Sequence, residues 1–100
     1  MPLTHIVMFE VRPDASPEAV DRLVTEARSK LTQIPGVSEL HAGWTLQRDS
    51  PHRVVLTMRL EDEAALAAYR IHPLHVEYVE QVIKPVEQRR FVIDSLDAKP

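Results

Sequence analysis

The sequence predicts an α+β domain of the ferredoxin-like kind, a split βαβ subunit built on an antiparallel sheet. Three observations carry the prediction. The periodic segments run strand, helix, strand, strand, helical segment, strand. A short turn cluster, Arg48-Asp49-Ser50-Pro51, joins the middle two strands as an antiparallel hairpin. The first strand is apolar on both faces, and one layer of helices covers only one face of a sheet.

That first strand spans Leu3 to Val11. His5, Val7, Phe9 and Val11 alternate to one face, and Ile6 and Met8 to the other. Arg12-Pro13-Asp14 forms a loop. Ser16-Pro17-Glu18 then opens a helix: the serine caps free amides, proline suits the first turn, and the acid complements the helix dipole. Val20, Leu23, Val24, Ala27, Leu31 and Ile34 recur at three- and four-residue steps, which makes them one buried face. Pro35-Gly36 stops the helix. Val37 to about Gln47 is a second strand with poor alternation. Arg53 to Leu60 alternates cleanly, with Val54, Leu56, Met58 and Leu60 on one side.

Glu61-Asp62-Glu63 begins a second helix through Ala64 to Tyr69, and His72-Pro73 interrupts it. A further helix follows from Pro73 to about Ile83, expected to bury Val76, Val79 and Ile83, and Lys84-Pro85 ends it. Gln88 to Ser95 is the last strand, and Asp97 to Pro100 is expected to fray. Residues 1–97 thus make a single domain, with 98–100 as a tail.

Composition excludes several classes of function. In 100 residues there is no cysteine, which removes disulfides, thiolate metal sites and cysteine nucleophiles. The formal net charge is -3, and no basic stripe with interleaved aromatics appears, so nucleic-acid binding is not expected. No apolar run reaches membrane-spanning length, and the N-terminus lacks the pattern of a signal peptide. A cytoplasmic protein without membrane contact is therefore expected. No glycine-rich phosphate loop is present, and nothing specifies haem or flavin, so no cofactor is expected.

Several pieces together resemble one known family. They are His5-Ile6-Val7, then Ile34-Pro35-Gly36-Val37, then Glu61-Asp62-Glu63-Ala64-Ala65-Leu66 leading into Tyr69-Arg70-Ile71-His72-Pro73-Leu74-His75, and finally Phe91-Val92-Ile93-Asp94. In this order they resemble the stress-responsive dimeric A/B barrel (Dabb) domain, and the Tyr-x-x-His-Pro-x-His run is the most specific part. The resemblance implies a homodimer whose two sheets meet face to face and enclose an α/β barrel. It implies a stress-response domain without assigned activity, with a barrel pocket for a small carbonyl or aromatic ligand. One characterised relative, olivetolic acid cyclase, closes a linear polyketide thioester by aldol chemistry. By position its tyrosine, catalytic histidine and first-strand histidine match Tyr69, His75 and His5, and His72 fills the remaining histidine position. The alternative function is thus a cofactor-independent cyclase or isomerase with His75 as general base and Tyr69 beside it.

The residues themselves allow two readings at each position. With Pro73 as the first helical residue, His75 is the third, where a positive field keeps an imidazole neutral and fit to act as a base. The other reading is packing at a helix junction. Tyr69 shares a helical face with His72 and either donates to an oxyanion or is a core aromatic with a polar tip. His72 precedes proline and belongs at a helix cap, with ligand contact as the second reading. His5 either reaches a ligand or is a satisfied core histidine. Trp44 either stacks on a flat ligand or covers an edge. His72 and His75 have a spacing that suits two metal ligands, but no complete ligand set is visible, and no metal site is expected.

Overall fold

The computed structural model describes residues 1–47 and 49–97. They form β1 (Leu3–Val11), α1 (Pro17–Lys30), β2 (Val37–Trp44), β3 (His52–Leu60), α2 (Glu63–Ile71), α3 (Pro73–Tyr78) and β4 (Glu87–Leu96). A short 3-10 turn, Leu31–Gln33, extends α1, and a π-helical turn, Val79–Ile83, extends α3. The sheet order is β2-β3-β1-β4, and every pairing is antiparallel. This is the ferredoxin-like α+β architecture that the element order predicts. Arg48 and Ala98 to Pro100 lie outside the described residues, and with them the expected tail.

Local chemistry sets the boundaries. The Ser16 side chain accepts from the Ala19 amide at 3.2 Å, and Asp62 accepts from the Ala65 amide at 2.8 Å, so each helix starts on a side chain that satisfies a free donor. Gly36 takes φ +88°, a left-handed turn that glycine adopts without strain, and it reverses the chain from α1 into β2. β2 alternates poorly because a bulge falls between Ser38 and His41, with Glu39 at φ 50°.

One face of the sheet holds the core. Leu3, Val7 and Phe9 of β1 and Val54, Leu56, Met58 and Leu60 of β3 are buried beneath the helices. From the other side come Val20, Leu23, Val24 and Ala27 of α1, followed by Leu31 and Ile34. All six of these positions are the apolar stripe read from the sequence. α3 differs from expectation. Its buried stripe runs through Tyr78 and Val82 to Ile83, while Val76 stays 46% exposed. The Tyr78 hydroxyl donates to the Leu23 carbonyl at 2.6 Å, and this bond, with the π turn that follows, sets the rotation of the segment. Asp97 also departs from the expected frayed end. Its carboxylate accepts two bonds from Arg59, at 3.1 and 2.5 Å, and its amide donates to the Pro2 carbonyl.

The opposite face of the sheet is open. Ile6 pairs with Ile93 and Met8 with Phe91 across the β1–β4 ladder, so these four side chains share that face. Phe91 is 40% exposed and Ile93 56% exposed. Among the described residues no helix is long and apolar enough to cross a membrane.

Candidate functional site

The site grows out of the break between α2 and α3. Proline at position 73 has no amide to offer, which suits the first turn of α3, and it drives His72 to extended backbone, φ −63° and ψ 136°. His72 then caps α3, with Nδ1 accepting from the Leu74 amide at 3.1 Å. The break leaves carbonyls of the last turn of α2 without helical partners. The imidazole of His75 takes one of them, its Nδ1 lying 2.9 Å from the Arg70 carbonyl oxygen.

That bond decides the chemistry of His75. A carbonyl only accepts, so Nδ1 carries the proton, and in the neutral ring Nε2 holds the lone pair. The pKa of His75 is lowered from the ordinary 6.5. Burial is the largest cause; the Arg70 carbonyl works against it, and His5, Arg90 and Arg70 add to the lowering. The sequence suggested a helix-terminal field as the source. The structure places burial first, because the ring is tucked against Tyr69.

Tyr69 joins two histidines. Its ring centroid lies 4.4 Å from that of His75 at a tilt of 47°, and 5.6 Å from that of His5 in an edge-on contact. Tyr69 is 2% exposed, and burial pushes its hydroxyl pKa well up, with Arg90 opposing. The hydroxyl therefore stays protonated and able to donate, and it has no hydrogen-bond partner among the described residues. His5 comes from the middle of β1 and is held from the far end of the chain. Its Nδ1 donates to Asp94 Oδ1 at 2.5 Å, across the β1–β4 ladder, where the two residues face each other in register. The second Asp94 oxygen lies 3.6 Å from the Arg70 guanidinium.

These groups line one cavity of about 450 Å³, which lies in the range of small-molecule sites. Its floor is apolar: Val7, Phe9, Leu56, Tyr78 and Ile83 are all buried. Its polar groups are His5, Tyr69, His75, Arg70 and Arg90. The cavity lies between the sheet and the helices of one chain. It lies on the side of the sheet away from the open face. Strand alternation sends His5, Val7 and Phe9 to the helix side, and only Ile6, Met8 and their neighbours face the open side.

Three of the expected site residues, His5, Tyr69 and His75, thus meet in one place. His72 does not line the cavity and acts as a cap. Trp44 lines a second cavity of about 430 Å³, with Arg12, Asp21 and Arg53, that shares no lining residue with the first. It is 51% exposed at the end of β2 and does not reach the histidines. Reasoning from sequence missed Asp94, Arg70, Arg90 and the floor residue Tyr78. Among the described residues, no group of three or more histidine, cysteine or acidic side chains is placed to hold a metal ion.

Comparison with known proteins places this arrangement. The model of a protein family described as the stress responsive A/B barrel domain matches residues 3–97. A Dabb family protein of ferredoxin-like fold from Mesorhizobium loti is 22% identical, covers 98% of both chains and superposes with a TM-score of 0.84. A dimeric ferredoxin-like protein of unknown function from Jannaschia sp. is 26% identical, with a TM-score of 0.75 over 98% of this chain and 100% of that one. A hydroxynitrile lyase from Passiflora edulis is 14% identical, with a TM-score of 0.84 over 99% of this chain and 95% of that one. Among curated proteins, none matches the chain. With the family model spanning nearly every described residue and the same fold in each neighbour, the chain belongs to the stress responsive A/B barrel (Dabb) domain family.

Proposed function

We propose that the cavity binds a small carbonyl compound and moves a proton at the carbon beside its carbonyl, without a cofactor. The carrying observation is the pairing of a neutral, oriented His75 with the unpartnered hydroxyl of Tyr69 in one half-apolar cavity. In the forward step His75 Nε2 takes the proton from the carbon, and the C–H electron pair becomes a C=C bond. The carbonyl π pair moves onto oxygen, where the Tyr69 hydroxyl donates to the developing enolate. Return of the proton from the imidazolium to oxygen gives the enol isomer, and its return to the carbon restores the substrate with the proton exchanged. Attack of the enolate carbon on a second carbonyl of the same molecule forms the C–C bond and an alkoxide, which takes the proton back from the imidazolium to complete an aldol cyclisation. His5, oriented by Asp94, is the second proton-carrying group of the site. A hydroxynitrile lyase of the same fold supports a catalytic reading of such a cavity, and at 14% identity it says nothing about this substrate.

The same proposal includes a homodimer formed through the open sheet face. Ile6, Met8, Phe91 and Ile93 form an apolar group there, and structural neighbours are described as dimeric.

The test is a thermal-shift screen of small phenolic, aromatic and oxo compounds against the wild type and His75→Gln. A ligand of the folded state raises Tm, with about 2.7 kcal/mol of stabilisation at a hundred times its Kd. A shift in the wild type followed by His75-dependent turnover is the expected outcome. A panel that shifts neither protein contradicts a ligand cavity.

A further inference from the structure

The cavity has an electrostatic asymmetry that general-base chemistry alone does not require. Its lining carries two arginines, two histidines and two tyrosines, and no carboxylate. The nearest acids stand behind the lining: Asp94 against His5 and Arg70, and Glu87 against Arg90. Neither cavity arginine has its terminal nitrogens held by a hydrogen bond among the described residues. Arg12 and Arg28 donate to backbone carbonyls, and Arg59 forks onto Asp97. The side chains of Arg70 and Arg90 make no hydrogen bond among the described residues, and their carboxylate contacts are long, at 3.6 Å each.

Arg90 is the more telling of the two. Its side chain is only 34% exposed, yet its nearest acid meets Nε and not the terminal nitrogens. That acid is Glu87 Oε2, itself buried without a hydrogen bond, so the pair anchors one edge of the guanidinium. The terminal fork is left to whatever enters the cavity. Arg90 also sits close enough to Tyr69 and His75 to act on the acidity of both. Across from it the floor of Phe9, Leu56 and Ile83 offers nothing polar.

We infer that the cavity takes an amphipathic monoanion, an oxo acid whose carboxylate is received by Arg90 and Arg70 and whose apolar body lies on the Phe9–Leu56–Ile83 floor. This rests on the proposed proton-transfer site and adds the substrate class to it. An arginine fork matches a carboxylate in two parallel hydrogen bonds, and a carboxylate fixed beside the carbonyl sets which carbon is offered to His75. Two guanidinium groups whose carboxylate contacts are long also raise the local concentration of an anion before it docks. The enolate formed in the reaction gains from the same positive field.

The experiment is calorimetric titration of the wild type with phenylpyruvate and with methyl phenylpyruvate, at low and at raised sodium chloride. The two probes share ring, carbonyl and acidic C–H and differ in charge. The acid is expected to bind about tenfold or more tighter than the ester, as charge-assisted hydrogen bonds do relative to neutral contacts. Its affinity falls with salt, and that of the ester does not. Arg90→Gln removes most of the preference and leaves the ester unchanged, while Arg90→Lys keeps part of it. Equal binding of acid and ester, binding of neither, or a preference that survives Arg90→Gln overturns the inference. The salt comparison stands on the wild type alone, so it decides even where a variant fails to fold. If the ester binds as well as the acid while His75-dependent proton exchange persists, the anion site fails and the catalytic reading survives. If the acid is preferred but no proton exchanges, the reverse holds.

Discussion

The imidazole of His75 gives its Nδ1 proton to the carbonyl oxygen of Arg70, 2.9 Å away, and so keeps the lone pair of the neutral ring on Nε2. The partner is a backbone atom freed by the break at His72-Pro73, which ties the tautomer of the base to the way α2 ends. His75→Gln retains a polar side chain of similar reach and removes the base. Turnover is expected to fall about 10²- to 10⁴-fold, the usual weight of general-base catalysis. Circular dichroism and ligand titration should show fold and binding retained; a variant that keeps wild-type kcat contradicts the role.

The lowered pKa of His75 has a sign that can be measured. Burial leads, and the nearby Arg90 and Arg70 add to the lowering. The folded state therefore resists the proton that an unfolded histidine accepts at about pH 6.5. The unfolded chain binds more protons in that window, so the stability contributed by neutral His75 is full above it and declines as pH falls. Denaturant midpoints of the wild type and His75→Gln should diverge accordingly, the wild type losing relative stability below about 6.5. In the rate profile, the acid limb should fall below the ordinary histidine value. A limb at or above 6.5 would count against the buried base.

The two tyrosines of the cavity separate chemistry from stability. The Tyr69 hydroxyl has no partner among the described residues, whereas that of Tyr78 donates to the Leu23 carbonyl at 2.6 Å. Tyr69→Phe is expected to leave Tm nearly unchanged and to lower kcat by about 10²- to 10³-fold, as removal of an oxyanion donor does. Tyr78→Phe removes that buried hydrogen bond and is expected to cost about 0.5–1.5 kcal/mol of stability. Chemical denaturation and steady-state kinetics on both variants check the contrast, and identical behaviour would dissolve it.

Asp94 orients His5 from a strand at the other end of the chain. Asp94→Asn keeps the size of the side chain and removes its charge. About a tenfold loss of kcat is expected, equivalent to about 1.4 kcal/mol on the barrier, with KM little changed. Proton NMR of the His5 ring should show the low-field Nδ1 proton disappear. A ring proton unaltered in the variant would remove Asp94 from the site.

The open sheet face predicts the assembly. Ile93 is 56% exposed and lies in register with Ile6. Light scattering of the wild type at micromolar concentration should report twice the 11.4 kDa chain mass. Ile93→Asp places a charge in the proposed interface and should shift the protein to the monomer. A wild-type monomer contradicts the interface.

Much of this structure was readable from short-range chemistry. The Ser16 cap, the α1 stripe from Val20 to Ile34 and the alternation of β3 depend on neighbours within a few residues, and each appears as expected. Tyr69, His72 and His75 were legible because one proline fixes their local geometry. What was not legible depends on pairing across the chain. Asp94 meets His5 only through the β1–β4 register, 89 residues apart in sequence. The side of the sheet that forms the cavity was undecidable for β1, where both faces are apolar. Val76 was misplaced because a π turn follows α3 and the Tyr78 bond sets its rotation. Trp44, read either as a stacking platform or as cover for an edge, is carried by its strand to a different cavity.

The measurement that bears most directly on the central claim is deuterium wash-in at the carbon beside the carbonyl of phenylpyruvate, followed by proton NMR in heavy water. Exchange above the buffer rate is expected with wild-type protein and a return to the buffer rate with His75→Gln, both proteins being folded. Exchange that is equal in wild type and variant, or absent from both, would contradict the assignment of His75 as the base of a proton-transfer site.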